Sequence, residues 1–358
     1  MPKIVELDNE TYKKYDMKKY ELEIKPFLTS KIFDMHIHVG PSSLVSNNIS
    51  EERLKERFEL TTCSSLTYED YFRAFDILFG SKRFSGGLFF AYPFKEINLE
   101  QANEYVGSRI DNSKKFGLII ASPYHKKDYF EELIEKYGFI GFKPYPDLYD
   151  FKDESKVKIS DYVSEDMLYV ANKYKLILLI HLKSYNGGQG INSEEYLQEI
   201  HNMFEKFPDI KLVIPHMGRL HCPKLAETGI KKVIKYFGND KIYFDTSTCT
   251  QRKSFEIFLE NYSTEKILFG NDIGVSLIRA KFYCIDDEKR ILVPREEFSW
   301  YKDSGFDRNL SIFVYESLGE LFNALRNLGA DRSMFNKLLY DNSNNLIKEV
   351  VKSESFGN

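Results

Sequence analysis

The stretch Lys31-Ile32-Phe33-Asp34-Met35-His36-Ile37-His38-Val39 decides the fold. Its apolar, β-branched and aromatic residues read as a strand, on which alternate side chains share a face. Asp34, His36 and His38 therefore point the same way, and the two imidazoles can share one metal ion. A single His-x-His among 7 histidines is a weak signal by itself. Position strengthens it, because His181, His216 and Asp272 each end a similar short apolar run.

Eight such runs recur along the chain: Lys31–Val39, Gly87–Tyr92, Gly117–Ser122, Phe139–Pro144, Leu176–Leu182, Lys211–His216, Lys241–Thr246 and Lys266–Asp272. Helix-length polar segments lie between them, the alternation expected of parallel strands joined by crossovers. The economical fold is α/β, a (β/α)₈ barrel. Phe130, Leu133, Ile134 and Tyr137 fall on one helical face, as do Tyr196, Ile200, Met203 and Phe204. Gly138 is a helix stop, Ser193 an N-cap ahead of two acids, and Thr250–Asn261 a shorter amphipathic stretch.

Three stretches exceed a minimal barrel. Residues 1–30 form an N-terminal extension, 47–82 an insertion after the first strand, and 273–310 an insertion after the last. The barrel itself runs over 31–350, with 351–358 a tail. Within the last insertion, Phe282-Tyr283-Cys284-Ile285, a polar tip and Ile291-Leu292-Val293 read as a β-hairpin. Long loops on a barrel serve as lids or specificity walls, and equally as surface decoration or subunit contacts. The sequence holds no internal repeat, low-complexity tract or linker that divides it.

Composition narrows the function. The chain has 358 residues, 42% of them hydrophobic, and its 50 basic against 54 acidic side chains leave a formal charge of −4. No basic run supplies the electrostatic footprint of a nucleic-acid binder. The N-terminus lacks the apolar core of a signal peptide, and no run is long enough to span a bilayer, so a cytoplasmic protein without nucleic-acid or membrane partners is expected. Cys63, Cys222, Cys249 and Cys284 are scattered without a C-x-x-C pair, which suits reduced thiols. Cys222, beside His221, stands out among them.

In a (β/α)₈ barrel, groups from the C-terminal ends of several strands meet over one mouth. By the count of runs, His36 and His38 come from the first strand, Lys143 from the fourth, His181 from the fifth, His216 from the sixth and Asp272 from the eighth. Arg219, Tyr145, Lys183 and Tyr185 occupy loops after strands and are candidates for substrate contact. Gly187-Gly188-Gln189-Gly190 fits no phosphate-loop spacing and reads as a turn. His125, in a loop after the third run without a partner, reads as solvent-exposed, with a substrate contact the alternative, and His201 and His221, in or beside helices, read as structural.

These segments carry a resemblance. Phe33-Asp34-Met35-His36-Ile37-His38, Gly141-Phe142-Lys143-Pro144, Leu179-Ile180-His181, Pro215-His216-Met217-Gly218-Arg219 and Phe269-Gly270-Asn271-Asp272 resemble the amidohydrolase superfamily. The Pro-His-Met-Gly-Arg and Phe-Gly-Asn-Asp segments look like its amidohydrolase 2 branch, which includes metal-dependent hydrolases and aminocarboxymuconate-semialdehyde and resorcylate decarboxylases. Tyr340-Asp341-Asn342 is similar to that branch's Gly-Asn-Ala segment, with Asp341 for the glycine and Ser343 for the alanine.

The resemblance implies that His36, His38, His181 and Asp272 ligate one divalent metal, while His216 acts as acid/base or polarises the substrate. Three imidazoles and a carboxylate suit Zn²⁺, with Mn²⁺ the alternative. A metal lowers the pKa of bound water to about 7, and Asp272 would take its proton. Lys143 is the fork: in binuclear relatives a carboxylated lysine bridges a second metal held with His181 and His216, but one metal is usual in this branch. Asp34 either holds a ligand histidine or satisfies a buried polar pocket. The expected activity is hydrolysis of an amide, ester, lactone or other C–N or C–O bond in a small organic molecule. The alternatives are a decarboxylase or hydratase acting on an unsaturated or aromatic acid, and a non-catalytic binding barrel. Relatives in this family are often dimers, which makes a homodimer an open assembly.

Overall fold

The computed structural model describes residues 10, 12–46, 48–57, 59–62, 65–185, 188–298 and 301–353. Gly187 and most of the tail fall outside the described residues, as does the side chain of Tyr185.

All eight runs become strands. The first, Ile32–His38, is buried along its whole length and pairs in parallel with Phe84–Phe90. Burial on both faces explains its near-continuous hydrophobicity. The third strand is broken into Lys115–Gly117, which pairs with the second, and Ile119–Ala121, which pairs with Gly141–Pro144. Parallel pairing then continues through Ile177–Leu179, Lys211–Ile214, Tyr243–Asp245 and Ile267–Leu268. Met35 N–H donates to Phe269 O, and Asp272 N–H to His36 O, each at 2.9 Å, so the eighth strand returns to the first. The fold is a (β/α)₈ barrel.

Glycine at 141 follows from this closeness. A Cβ there would stand 2.1 Å from the carbonyl oxygen of Ile177 on the next strand.

The helices form where the pattern places them. In Lys127–Tyr137, Phe130, Leu133 and Ile134 are buried, and Gly138 ends the helix in the left-handed region at φ 73°. In Glu194–Lys206, Tyr196, Ile200 and Met203 are buried, and the Ser193 hydroxyl accepts the backbone N–H of Tyr196. The insertion after the first strand carries Glu51–Glu56, Glu59–Thr62 and Tyr68–Phe79, the last begun by a reciprocal Thr67–Asp70 capping box. Arg53 and Arg57 anchor it on Asp147, which follows the fourth strand, and Arg53 also meets Glu96 at 2.6 Å.

The N-terminal extension is tied down by buried Asp16. Its carboxylate accepts Arg279 Nη2 at 2.7 Å and Ile312 N–H at 2.9 Å, on the two sides of the last insertion. That insertion contains the expected hairpin, Ala280–Ile285 against Lys289–Pro294. One expectation is overturned here. Cys222 and Cys284 are joined by a disulfide across 62 residues, so these two are not reduced thiols. The sequence shows no paired spacing because the bond is formed by the hairpin folding back over the barrel mouth. Cys249 is free and buried. Among the described residues no helix is long and apolar enough to cross a membrane.

Candidate functional site

His36 and His38 leave the first strand side by side, and the eighth brings Asp272 up to them. His36 Nε2 lies 3.6 Å and His38 Nε2 3.7 Å from Asp272 Oδ1. Two donors about 2.1 Å from one ion, set at a tetrahedral angle, stand about 3.4 Å apart, so the three side chains fit a single divalent cation. Asp272 reaches this place through backbone that side chains rarely adopt, at φ 53°. Its N–H bond to His36 O holds it there.

The two rings are oriented from behind. His38 Nδ1 lies 3.0 Å from Ala91 O, which only accepts, so this nitrogen carries the proton and Nε2 is left with its lone pair. His36 Nδ1 is 2.8 Å from Asp245 Oδ2, which frees its Nε2 in the same way. Burial holds both imidazoles well below the usual histidine range, with the nearby Lys143 charge adding to it. Neutral rings are what a metal requires.

Asp245 was missed by sequence reasoning, although it is the last-but-one residue of the seventh run, the counterpart of the runs ending in His216 and Asp272. Beyond the His36 ring it accepts His216 N–H at 2.9 Å, Ser247 N–H at 3.0 Å and the Ser247 hydroxyl. His36, His216 and Asp245 also form a close group of potential ligands, but four donors already occupy that carboxylate. Asp245 orients the site rather than opening a second one.

His216 sits at φ 58°, with Nδ1 2.8 Å from Ser247 Oγ and 3.2 Å from Thr248 Oγ1. The Ser247 hydroxyl donates to Asp245 and so accepts from Nδ1–H, leaving Nε2 unprotonated. His181 lies beside His216, with ring centroids 5.1 Å apart, and beside Tyr145 at 4.5 Å. It lines the same cavity but stands outside the close His36, His38 and Asp272 group. Lys143 is fully buried; its ammonium lies 5.2 Å above the Phe90 ring, and Nζ has no hydrogen-bond partner. Burial lowers its pKa. Asp34 holds no imidazole: it accepts His36 N–H, Asn271 N–H and Nδ2, and the Tyr71 hydroxyl.

Above the cluster lies a cavity of about 300 Å³. Arg219, Tyr145 and Lys183 line it as expected, and Arg219 Nη1 donates to Leu182 O at 3.2 Å. Arg57, Glu59, Thr248, Phe282, Arg290 and Leu292 line it too, and the sequence did not reveal them. Most belong to insertions whose placement no strand count fixes. Three arginines and two lysines face the cavity against Glu59 and Asp272, which gives a site suited to an anion. His125 and His201 lie elsewhere, 3.6 Å from Glu100 and Glu205 respectively. His221 is buried beside Phe282, and neither of its ring nitrogens has a hydrogen-bond partner.

A family model described as amidohydrolase matches residues 33–344. The chain belongs to the amidohydrolase 2 family. No curated protein matches it. Solved structures similar to this chain include a 5-carboxyvanillate decarboxylase from Sphingomonas paucimobilis, 11% identical with a TM-score of 0.54, covering 89% of this chain and 99% of the other. A dihydroxybenzoic acid decarboxylase from Polaromonas, solved with manganese and an inhibitor, is 12% identical with a TM-score of 0.52, covering 92% and 100%. A "probable 2-pyrone-4,6-dicarboxylic acid hydrolase" from Acinetobacter baumannii, with citric acid bound, is 13% identical with a TM-score of 0.52, covering 89% and 99%. At these identities the likeness is one of fold. The solved structures that share this fold bear the names of both a hydrolase and decarboxylases.

Proposed function

We propose that this member of the amidohydrolase 2 family is a metal-dependent hydrolase of a small organic anion, cleaving an ester, lactone, amide or other C–O or C–N bond. The observation that carries the reading is the meeting of His36, His38 and Asp272 donors at the floor of a cavity walled by cationic side chains. His36 Nε2, His38 Nε2 and Asp272 would hold one divalent ion, with His181 approaching as a fourth ligand. Zn²⁺ suits this donor set, and manganese in the dihydroxybenzoic acid decarboxylase supports Mn²⁺ as the alternative. When bound, the ion would supply Lewis-acid polarisation of a substrate oxygen and acidify water beside it.

The chain's own groups do the rest. Asp272 takes a proton from the attacking water and returns it to the leaving group. His216, with Nδ1–H fixed on Ser247, offers Nε2 to the substrate as hydrogen-bond partner and proton carrier. Lys143, in its protonated form, offers a charge to the reacting carbonyl, and Arg219 orients the substrate's negative charge.

Decarboxylation is the second reading, favoured by the same cationic wall, which would draw a carboxylate over His216 and the His181 ring. A panel of lactone and aromatic dicarboxylates, followed for both carbon dioxide release and acid production with Zn²⁺- or Mn²⁺-loaded protein, separates the two. Acid production without carbon dioxide is expected. Carbon dioxide with no hydrolysis would overturn the hydrolase reading, and turnover that survives complete metal removal would overturn both.

A further inference from the structure

The hairpin Ala280–Ile285/Lys289–Pro294 lies over the cavity with one face inward. Phe282 pairs with Leu292 and Cys284 with Arg290 across its strands, and residues two apart on a strand share a face. Phe282, Arg290 and Leu292 of that face line the cavity. Cys284, on the same face, is bonded to Cys222, three residues beyond Arg219. The disulfide thus ties the roof of the cavity to the segment carrying His216 and Arg219, one cross-strand step from Arg290.

Arg290 differs from Arg57 of the same wall. Arg57 meets Asp147 at 3.2 Å, whereas no acid among the described residues pairs with Arg290, whose guanidinium lies 4.7 Å above the Phe282 ring. Burial and the neighbouring Arg219 charge push its pKa down, the environment of a cation that awaits an anion. Thr250 and Gln251 bond the backbone of Phe282, and Lys224 N–H bonds Asp287 O, so the hairpin has other anchors. None of these bonds engages Arg290 or its cross-strand partner.

We propose that Arg290 is a specificity-determining residue that reads a second negative charge on the substrate, remote from the reacting bond, and that the Cys222–Cys284 disulfide is the redox-sensitive latch that positions it. This rests on the reading of the cavity as a site for an organic anion. A dithiol releases the latch by attacking the sulfur of Cys284, the partly exposed end, and expelling Cys222 as a thiolate that takes a proton. The second thiol of the reductant then displaces Cys284. The reductant loses two electrons and two protons in forming its own disulfide, and each cysteine gains one of each.

The test is calorimetric titration of the metal-loaded protein with benzoate and with benzene-1,3-dicarboxylate, probes that differ by one carboxylate. The oxidised protein should bind the dicarboxylate at least about tenfold more tightly. Arg290→Gln should remove that preference by weakening dicarboxylate binding severalfold more than benzoate binding, with metal content unchanged, and Arg290→Lys should restore part of it. Reduction with a phosphine, or the paired substitution Cys222→Ser with Cys284→Ser, should lower the preference severalfold. Thiol titration in denaturant should find two thiols before reduction and four after. Lack of preference in the oxidised protein, or an undiminished preference in Arg290→Gln, overturns the role of Arg290. Four thiols before reduction, or a preference indifferent to reduction, overturns the latch. An intact preference in a protein that shows no metal-dependent turnover would support Arg290 while sinking the hydrolase reading.

Discussion

Replacing Asp245 by asparagine tests how the proposed metal centre is held. The carboxylate is fully buried, with one oxygen receiving the His36 ring at 2.8 Å and the other receiving His216 N–H, Ser247 N–H and the Ser247 hydroxyl. An asparagine keeps the shape but turns one oxygen into a donor. Facing the amide NH₂ toward the three donors breaks three bonds, whereas facing it toward His36 breaks one, so it will face His36. His36 then has to accept at Nδ1 and carry its proton on Nε2, the nitrogen aimed at Asp272, and the ligand lone pair is lost from that face. Loss of such an orienting partner weakens metal binding by about 10- to 100-fold, on the order of 1.4–2.7 kcal/mol. Competition against a chromophoric chelator measures this, with circular dichroism and thermal melting to confirm the fold. A folded Asp245→Asn protein that binds Zn²⁺ within about twofold of the wild type would refute the assignment of Nε2 as the ligand atom.

Three further outcomes are expected. His36→Ala and Asp272→Asn should each abolish turnover and metal binding while a cooperative melt is retained, at lower temperature in His36→Ala because the buried Asp245 carboxylate loses the ring; full activity in metal-stripped His36→Ala would contradict this. Tyr71→Phe removes a buried hydroxyl that donates to Asp34 at 3.2 Å and should cost about 1–3 kcal/mol in urea unfolding, with metal stoichiometry unchanged. Asp147→Ala removes the carboxylate that Arg53 and Arg57 share, so stability should fall by about 3 kcal/mol. The KM should rise more than kcat falls, since Arg57 and Glu59 line the cavity and not its floor.

Much of the fold was legible because strand and helix periods are local. The run Lys31–Val39 read as a strand with Asp34, His36 and His38 on one face, and the alternation of eight runs announced parallel pairing with crossovers. Gly138 and Ser193 marked helix ends through backbone geometry and hydrogen bonding that act over a few residues. The hairpin was legible for the same reason, but its destination was not. Whether it decorated the surface or roofed the cavity depended on contacts with residues far away in sequence, and so did the pairing of Cys222 with Cys284.

The sequence by itself determined the barrel and the strand ends from which His36, His38, His216 and Asp272 rise, because side-chain alternation and parallel strand order leave those groups only one rim to occupy. Tertiary structure alone decided which nitrogen of each ring is free, that Asp245 and not Asp34 holds the His36 ring, and which insertion residues wall the cavity. Those outcomes turn on distances of about 3 Å between segments tens to hundreds of residues apart, the range over which hydrogen bonds and ion pairs select one partner over another.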